Sequence, residues 1–168
     1  MGIVIFGNSG SGKSTIARAL GKVASVPVLD LDTIAWKEDQ PGVREDVVVS
    51  LEKLKAFRLE NERWIIEGCY SGLISAAAEY ASEIIFLNPG IENCVANCRA
   101  RKWEPHKYTN QEEQDKNLDF LLEWVREYES RDDEFSLSEH LIIYNAFQGK
   151  KTEVKSNEES ADLVSARS

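Results

Sequence analysis

Apolar and polar positions along this chain follow two rhythms. Residues 2–6 (GIVIF) form a short β-branched run closed by Gly7, the pattern of a strand buried on both faces. Across 13–25, Ile16, Leu20 and Val23 recur at helical spacing, and Pro27 marks the stop. VPVLDLD (26–32) reads as a second strand, apolar first and acidic at its end. Residues 43–59 place Val47, Leu51, Leu54 and Leu59 on one helical face, and RWIIEG (63–68) is a third strand. A helix rich in small residues is expected over 71–81. EIIFLN (83–88) is a fourth strand closed by Pro89-Gly90, and another helix follows over 91–102. Residues 111–131 carry an amphipathic stripe of Leu118, Leu121, Leu122, Val125 and Tyr128. HLIIYN (140–145) reads as a fifth strand. Residues 150–168 are polar, with little apolar content before Leu163 and Val164, and read as a frayed tail.

Strands alternating with helices imply a parallel sheet covered on both faces, an α/β fold in one domain spanning 1–150 with a flexible tail at 151–168. The 168 residues suffice for a real core. No apolar run approaches the roughly 20 residues that cross a membrane. The first strand follows Met1 without a leader-like segment, so a cytoplasmic protein is expected. Cys69, Cys94 and Cys98 form no disulfide framework and read as small buried residues. Cys94 and Cys98 share a helix face near His106, but their spacing is not that of a zinc site.

The net charge of −9 is unevenly placed. The stretch 110–139 is strongly acidic, whereas 99–107 is a short basic window. That balance argues against direct nucleic-acid binding and suits a compact anion such as a nucleotide phosphate.

The chemistry concentrates in GNSGSGKS (7–14), which fits G-x-x-x-x-G-K-[ST]. Gly7, Gly10 and Gly12, with Asn8, Ser9 and Ser11 between them, let the backbone curl so that N–H groups face phosphate oxygens. The helix N-terminus behind them adds positive potential. Lys13 reaches the β- and γ-phosphates, Ser14 offers a hydroxyl to Mg²⁺, and Thr15 falls near the α-phosphate. The motif lies between an expected strand and an expected helix, the context it requires. In open parallel sheets, ligands sit off the carboxyl ends of strands. Asp30 and Asp32 lie at such an end, two apart and on one face, and Glu67 ends the third strand at the same edge. A carboxylate there either holds metal through water or orients an acceptor hydroxyl. Turn capping is the competing explanation for the aspartates, and a helix cap or solvated turn for Glu67.

These residues give the chain a resemblance to small P-loop kinases of the adenylate kinase and shikimate kinase group. It is carried by GNSGSGKST, the D-x-D of VLDLD, WIIEGCY and the arginines after IIFLN, and extends over nearly all of 2–150. LDLDTIAW also resembles a segment of DNA-topology-modulation-like proteins. The resemblance implies a three-layer α/β/α P-loop NTPase fold with a five-stranded parallel sheet, a substrate insert at about 33–62 and a small lid at about 99–116. ATP and Mg²⁺ are the implied cofactors, and a small molecule or nucleotide the implied acceptor. Asp32 would face the acceptor and Asp30 the metal through water. Gly68 would lie against the substrate, with Arg44 and Arg58 in the insert. Arg99 and Arg101 would neutralise transition-state charge, with Arg131 a weaker match, and NAFQGKK (145–151) would fall at the adenine. The third strand ends in Glu67-Gly68-Cys69, where adenylate kinases carry Asp-Gly-x-Pro-Arg and shikimate kinases a glycine triplet, so neither substrate is supported. RKWEPHKYTN (101–110) matches neither lid. Its Trp103, His106 and Tyr108 either line the acceptor pocket or pack the lid onto the core.

The expected function is transfer of the γ-phosphate of Mg-ATP to a small-molecule or nucleotide acceptor, by a monomer or a homodimer. The alternative is a regulatory or DNA-topology-associated nucleotide-binding protein without phosphoryl transfer. A GTPase is disfavoured by the lack of an N-K-x-D motif.

Overall fold

The computed structural model describes residues 1–40, 42–103 and 109–167. Its centre is a five-stranded parallel sheet in the order β2-β3-β1-β4-β5. The strands are β1 (Gly2–Gly7), β2 (Val28–Asp30), β3 (Trp64–Gly68), β4 (Glu83–Leu87) and β5 (Lys150–Val154). Side chains alternate across the pleat, so β1 to β4 each feed two cores, and the edge strand β5 adds Val154 to one of them. Val4, Phe6, Ile66, Ile84 and Phe86 pack on one face against Leu73, Ile74 and Ala77 of α4 (Ser71–Ala78) and Ile143 of α7 (Leu137–Ala146). Ile5, Ile65, Ile85, Leu87 and Val154 face Ile16, Ala17 and Leu20 of α1 (Lys13–Ala24) and Leu163 and Val164 of α8 (Asn157–Ser165). The expected three-layer architecture is therefore present.

The fifth strand is not where the apolar run suggested. HLIIYN lies inside α7, because Ser136 caps a helix there by accepting from the Glu139 backbone N–H at 3.2 Å. A continuous apolar run does not distinguish strand from buried helix; here Ile142 is 61% exposed and only His140 and Ile143 are buried. The strand is instead KKTEV, a polar sequence acceptable at a sheet edge, in register with β4 from Glu83↔Lys150 to Leu87↔Val154. The segment expected to fray thus supplies β5 and α8, the latter capped by Ser156 accepting from Glu159 N–H at 3.1 Å.

Between β2 and β3 run a single turn α2 (Asp32–Ala35) and α3 (Val47–Glu60). The buried face of α3 is Ser50 and Leu54, with Phe57 partly buried, rather than the Val47–Leu51–Leu54–Leu59 stripe. The Ser50 hydroxyl donates to Ile34 O at 2.7 Å, which fixes the rotation of the helix, and Val47 and Leu59 are left exposed. α5 (Ile91–Arg99) and α6 (Gln111–Arg126) follow β4, with a 3₁₀ turn at Glu127–Glu129. Leu122, Val125 and Tyr128 of the expected stripe are buried, and Cys94 and Cys98 pack against the first two. His106 and Tyr108 lie outside the described residues.

Deleting residues 150–168 removes the β4 pairing and the buried Val154, and is expected to abolish cooperative thermal unfolding followed by circular dichroism; a frayed tail would leave the transition unchanged.

Candidate active site

The loop between β1 and α1 is clamped by its neighbours. Gly10 has φ +79°, and a Cβ there would stand 2.3 Å from Cys94 O and 2.7 Å from Cys98 Sγ. Only glycine accepts both the conformation and the approach of α5. At Gly7 a Cβ would fall 2.2 Å from Leu87 O. Asn97 Nδ2 donates to Gly10 O at 2.8 Å and also reaches Asn157 Oδ1 of α8 at 3.1 Å. Asn8 Nδ2 donates to Val125 O on α6 at 3.0 Å. The nearly buried Lys13 folds over the loop, with Nζ 2.8 Å from Asn8 O. Ser11 Oγ is buried with no hydrogen-bond partner among the described residues. A cradle with fixed N–H groups, a lysine and an unsatisfied hydroxyl fits an anionic phosphate.

Two cavities open from this loop. One, of about 720 Å³, lies over Gly10–Ile16, with walls from Asn97, Ala100 and Arg101 after β4 and from Asn157, Ser160, Ala161, Val164 and Ser165 of α8. The other, of about 580 Å³, holds Ser9, Asp30, Asp32, Trp36, Arg44, Glu67, Gly68, Cys69 and Tyr70, with Phe120, Trp124 and Phe135 on its far side. Lys13, Ser14 and Arg101 line both.

Asp30 Oδ1 accepts from Asp32 N–H at 2.9 Å, an Asx contact that begins α2, so the turn-capping role is present in a residue that also lines the cavity. Asp32 Oδ1 accepts from Tyr70 OH at 2.6 Å, and that hydroxyl accepts from Trp36 Nε1 at 2.7 Å. Burial foremost, then the nearby Asp32 charge, pushes the Tyr70 phenol far above its ordinary range, so it keeps its proton. Glu67 is buried beside Lys13 and Ser14, not in a solvated turn. Burial, with Asp30 and Asp32 adding, raises its carboxyl above the usual range, while Lys13 and Ser14 oppose. Burial pushes the Cys69 thiol up to about 12, so it stays protonated at neutral pH.

Other expected residues are distributed unevenly. Arg101 stands at the junction, 3.5 Å from Ser9 Oγ, whereas Arg99 is exposed at the end of α5 and does not line either cavity. Arg44 lines the second cavity with its guanidinium 4.7 Å from the Tyr70 ring, 5.2 Å from Trp36 and 5.7 Å from Phe135, and pairs with Glu134 at 3.1 Å. Gly68 lines the cavity, but a Cβ there would strike Leu31 at 2.7 Å, so core packing already requires glycine. Arg58 stacks on Tyr80 outside the cavity, and Arg131 stacks on Trp124 and donates to its carbonyl. NAFQGKK leads into β5 and does not line the first cavity; α8 stands there instead. Tyr70, Phe135 and α8 carry no local sequence signal for the site; Tyr70 stands in WIIEGCY, but its partners are remote in sequence.

Behind the second cavity, His140 is fully buried, with Nε2 2.9 Å from Cys69 O and Nδ1 2.7 Å from Tyr128 OH. The carbonyl only accepts, so Nε2 carries the proton and Nδ1 accepts from tyrosine.

Fold and site together define a small P-loop kinase. The sequence model of the family "Shikimate kinase" matches residues 9–142, and the chain belongs to that family. It is 29% identical over 129 residues to a shikimate kinase of Leptospira biflexa, covering 62% of this chain and 71% of that protein. Among solved structures, shikimate kinase from Bacteroides thetaiotaomicron superposes with TM-score 0.59 at 16% identity, covering 99% of this chain and 95% of that one. A gluconokinase from Sinorhizobium meliloti gives 0.57 at 16%, covering 99% and 88%. These last identities speak for the fold alone. The protein is an ATP-dependent small-molecule kinase, and the regulatory alternative is not favoured. Among the described residues, no helix is long and apolar enough to cross a membrane.

Burial depresses the His140 pKa from 6.5 to about 4. The unfolded chain therefore takes up a proton that the folded chain refuses, and this contribution to stability, complete above pH 6.5, is lost as pH falls towards 4. The loss is on the order of 3 kcal/mol. Urea unfolding across this window should show a shallower pH slope in His140→Gln than in the parent protein.

Proposed function

We propose that the kinase binds ATP along the first cavity and passes its γ-phosphoryl group to a hydroxyl of a small acidic acceptor in the second. The observation that carries this is the shared rim: Lys13, Ser14 and Arg101 border both cavities, so donor and acceptor meet there. The nucleotide base lies between α5 and α8, and the phosphates follow the residue 7–15 loop. Asp32 aligns the acceptor hydroxyl; a new O–P bond forms as the bond to the β-phosphate oxygen breaks, and the hydroxyl proton leaves towards the carboxylate. Lys13 and Arg101 offset charge on the transferring group. Arg101 lines both cavities and Arg99 neither, which supports Arg101 for that role.

The oxygen donors Ser14, Asp30 and Glu67 line one cavity and suit a hard cation; they would hold Mg²⁺, which would supply further charge neutralisation. Arg44 grips the acceptor's acidic group by exchanging its Glu134 partner, a pair whose side chains are both 39% exposed and so separates at little cost. A nucleotide acceptor is the second reading, favoured by the aromatic faces of Trp36, Phe120 and Trp124 in the same cavity.

ADP release from Mg-ATP is measured against shikimate, gluconate, nucleosides and nucleoside monophosphates. One acidic acceptor is expected to stimulate release strongly. Lys13→Ala should lose roughly 10²- to 10³-fold in kcat, and Arg44→Ala should raise the acceptor KM about tenfold with kcat much less affected. Unaltered turnover in Lys13→Ala excludes the scheme.

A further inference from the structure

Asp32 is held by a chain whose polarity is fixed by elementary chemistry. An indole N–H only donates, so the Tyr70 oxygen must accept from Trp36. The single phenolic proton is then committed to Asp32 Oδ1, at 2.6 Å. Tyr70 is 2% exposed, with the Phe135 ring edge-on at 5.3 Å and the Arg44 guanidinium at 4.7 Å, so its ring cannot swing away without disturbing both. The Trp36 backbone is held by a bridge to Arg44, whose guanidinium lies 5.2 Å from the indole. The Asp32 backbone is tied separately through its N–H to Asp30 Oδ1.

We propose that Tyr70 is a positioning residue for the Asp32 carboxylate, with Trp36 setting the direction of the Tyr70 hydroxyl. The inference rests on the reading of Asp32 as the group that aligns the acceptor. It extends that reading: the aromatic wall touching the acceptor also sets the carboxylate's orientation, so the hydroxyl meets a carboxylate already turned towards the phosphoryl junction. Tyr70 acts through Asp32 and is given no proton-transfer role.

The test begins on the unliganded ¹⁵N-labelled protein. The indole N–H resonance of Trp36, assigned with Trp36→Phe, should move upfield and exchange faster with water in both Tyr70→Phe and Asp32→Ala. A Tyr70 that merely fills space predicts no change at Trp36 when Asp32 is altered. The second measurement is ADP release with whichever of shikimate, gluconate, nucleosides or nucleoside monophosphates is turned over best. Tyr70→Phe should lower kcat about tenfold with both KM values within about twofold, and should cost nothing more when added to Asp32→Ala. Thermal unfolding checks that each variant is folded.

The proposal is overturned by an unmoved Trp36 signal in Asp32→Ala, by a parental kcat in Tyr70→Phe, or by losses that multiply in the double variant. Asp32→Ala with parental kcat removes the reading of Asp32 and the relay with it. An impaired Asp32→Ala beside a parental Tyr70→Phe removes the relay alone. If none of those acceptors is phosphorylated, the Trp36 signal decides the relay.

Discussion

The carbonyl of Gly10 accepts a hydrogen bond from Asn97 of α5, and the same helix approaches so closely that a methyl group on Gly10 would collide with the Cys94 carbonyl. This contact depends on β1 and β4 being neighbours, because parallel pairing brings the end of β1 and the start of α5 to one sheet edge. Asn97 also reaches Asn157, so α8 takes its place against the same loop. Asn8 extends the network to α6. The phosphate cradle is thus the point where helices from distant parts of the chain converge, and its dipoles are oriented before any ligand arrives. Such preorganisation is what makes fixed N–H groups effective against developing charge.

The same edge gathers the carboxylates. Parallel strands all end on one side, so β2 and β3 deliver Asp30 and Glu67 next to Lys13, with Asp32 opening the turn beyond. Burial raises the Glu67 carboxyl while Lys13 opposes that shift. A lysine here serves two neighbours: it folds over the loop and it offsets the repulsion among Asp30, Asp32 and Glu67.

The loop between β1 and α1 was legible because its pattern is local. Residues 7–15 are contiguous, and each glycine, lysine or hydroxyl stands at a fixed offset from the strand end. The first four strands were legible for a related reason, since their apolar runs are short and bounded by glycine, proline or acid. What escaped lay in non-local terms. KKTEV makes an edge strand although its residues are polar, because its pairing with β4 is a backbone matter. HLIIYN turns helical through one serine cap four positions earlier. The rotation of α3 is set by the Ser50 hydroxyl on Ile34, a contact that apolar periodicity does not register. In the second cavity, Tyr70 and Asp32 are 38 positions apart and Arg44 and Glu134 farther still, so their pairing is visible only once the chain is folded.

The four tryptophans are divided in a way that carries its own consequence. Trp36 and Trp124 stand in the second cavity, Trp64 is sealed in the core at 4% exposure, and Trp103 lies between α5 and α6. The molecule therefore contains two fluorophores in the compartment assigned to the acceptor and a third, shielded from solvent quenchers, as an internal reference. Arrival of a molecule in that compartment changes the polarity around the first pair and leaves the third largely as it was. Acceptor entry can thus be followed by intrinsic emission, without a label and separately from catalysis.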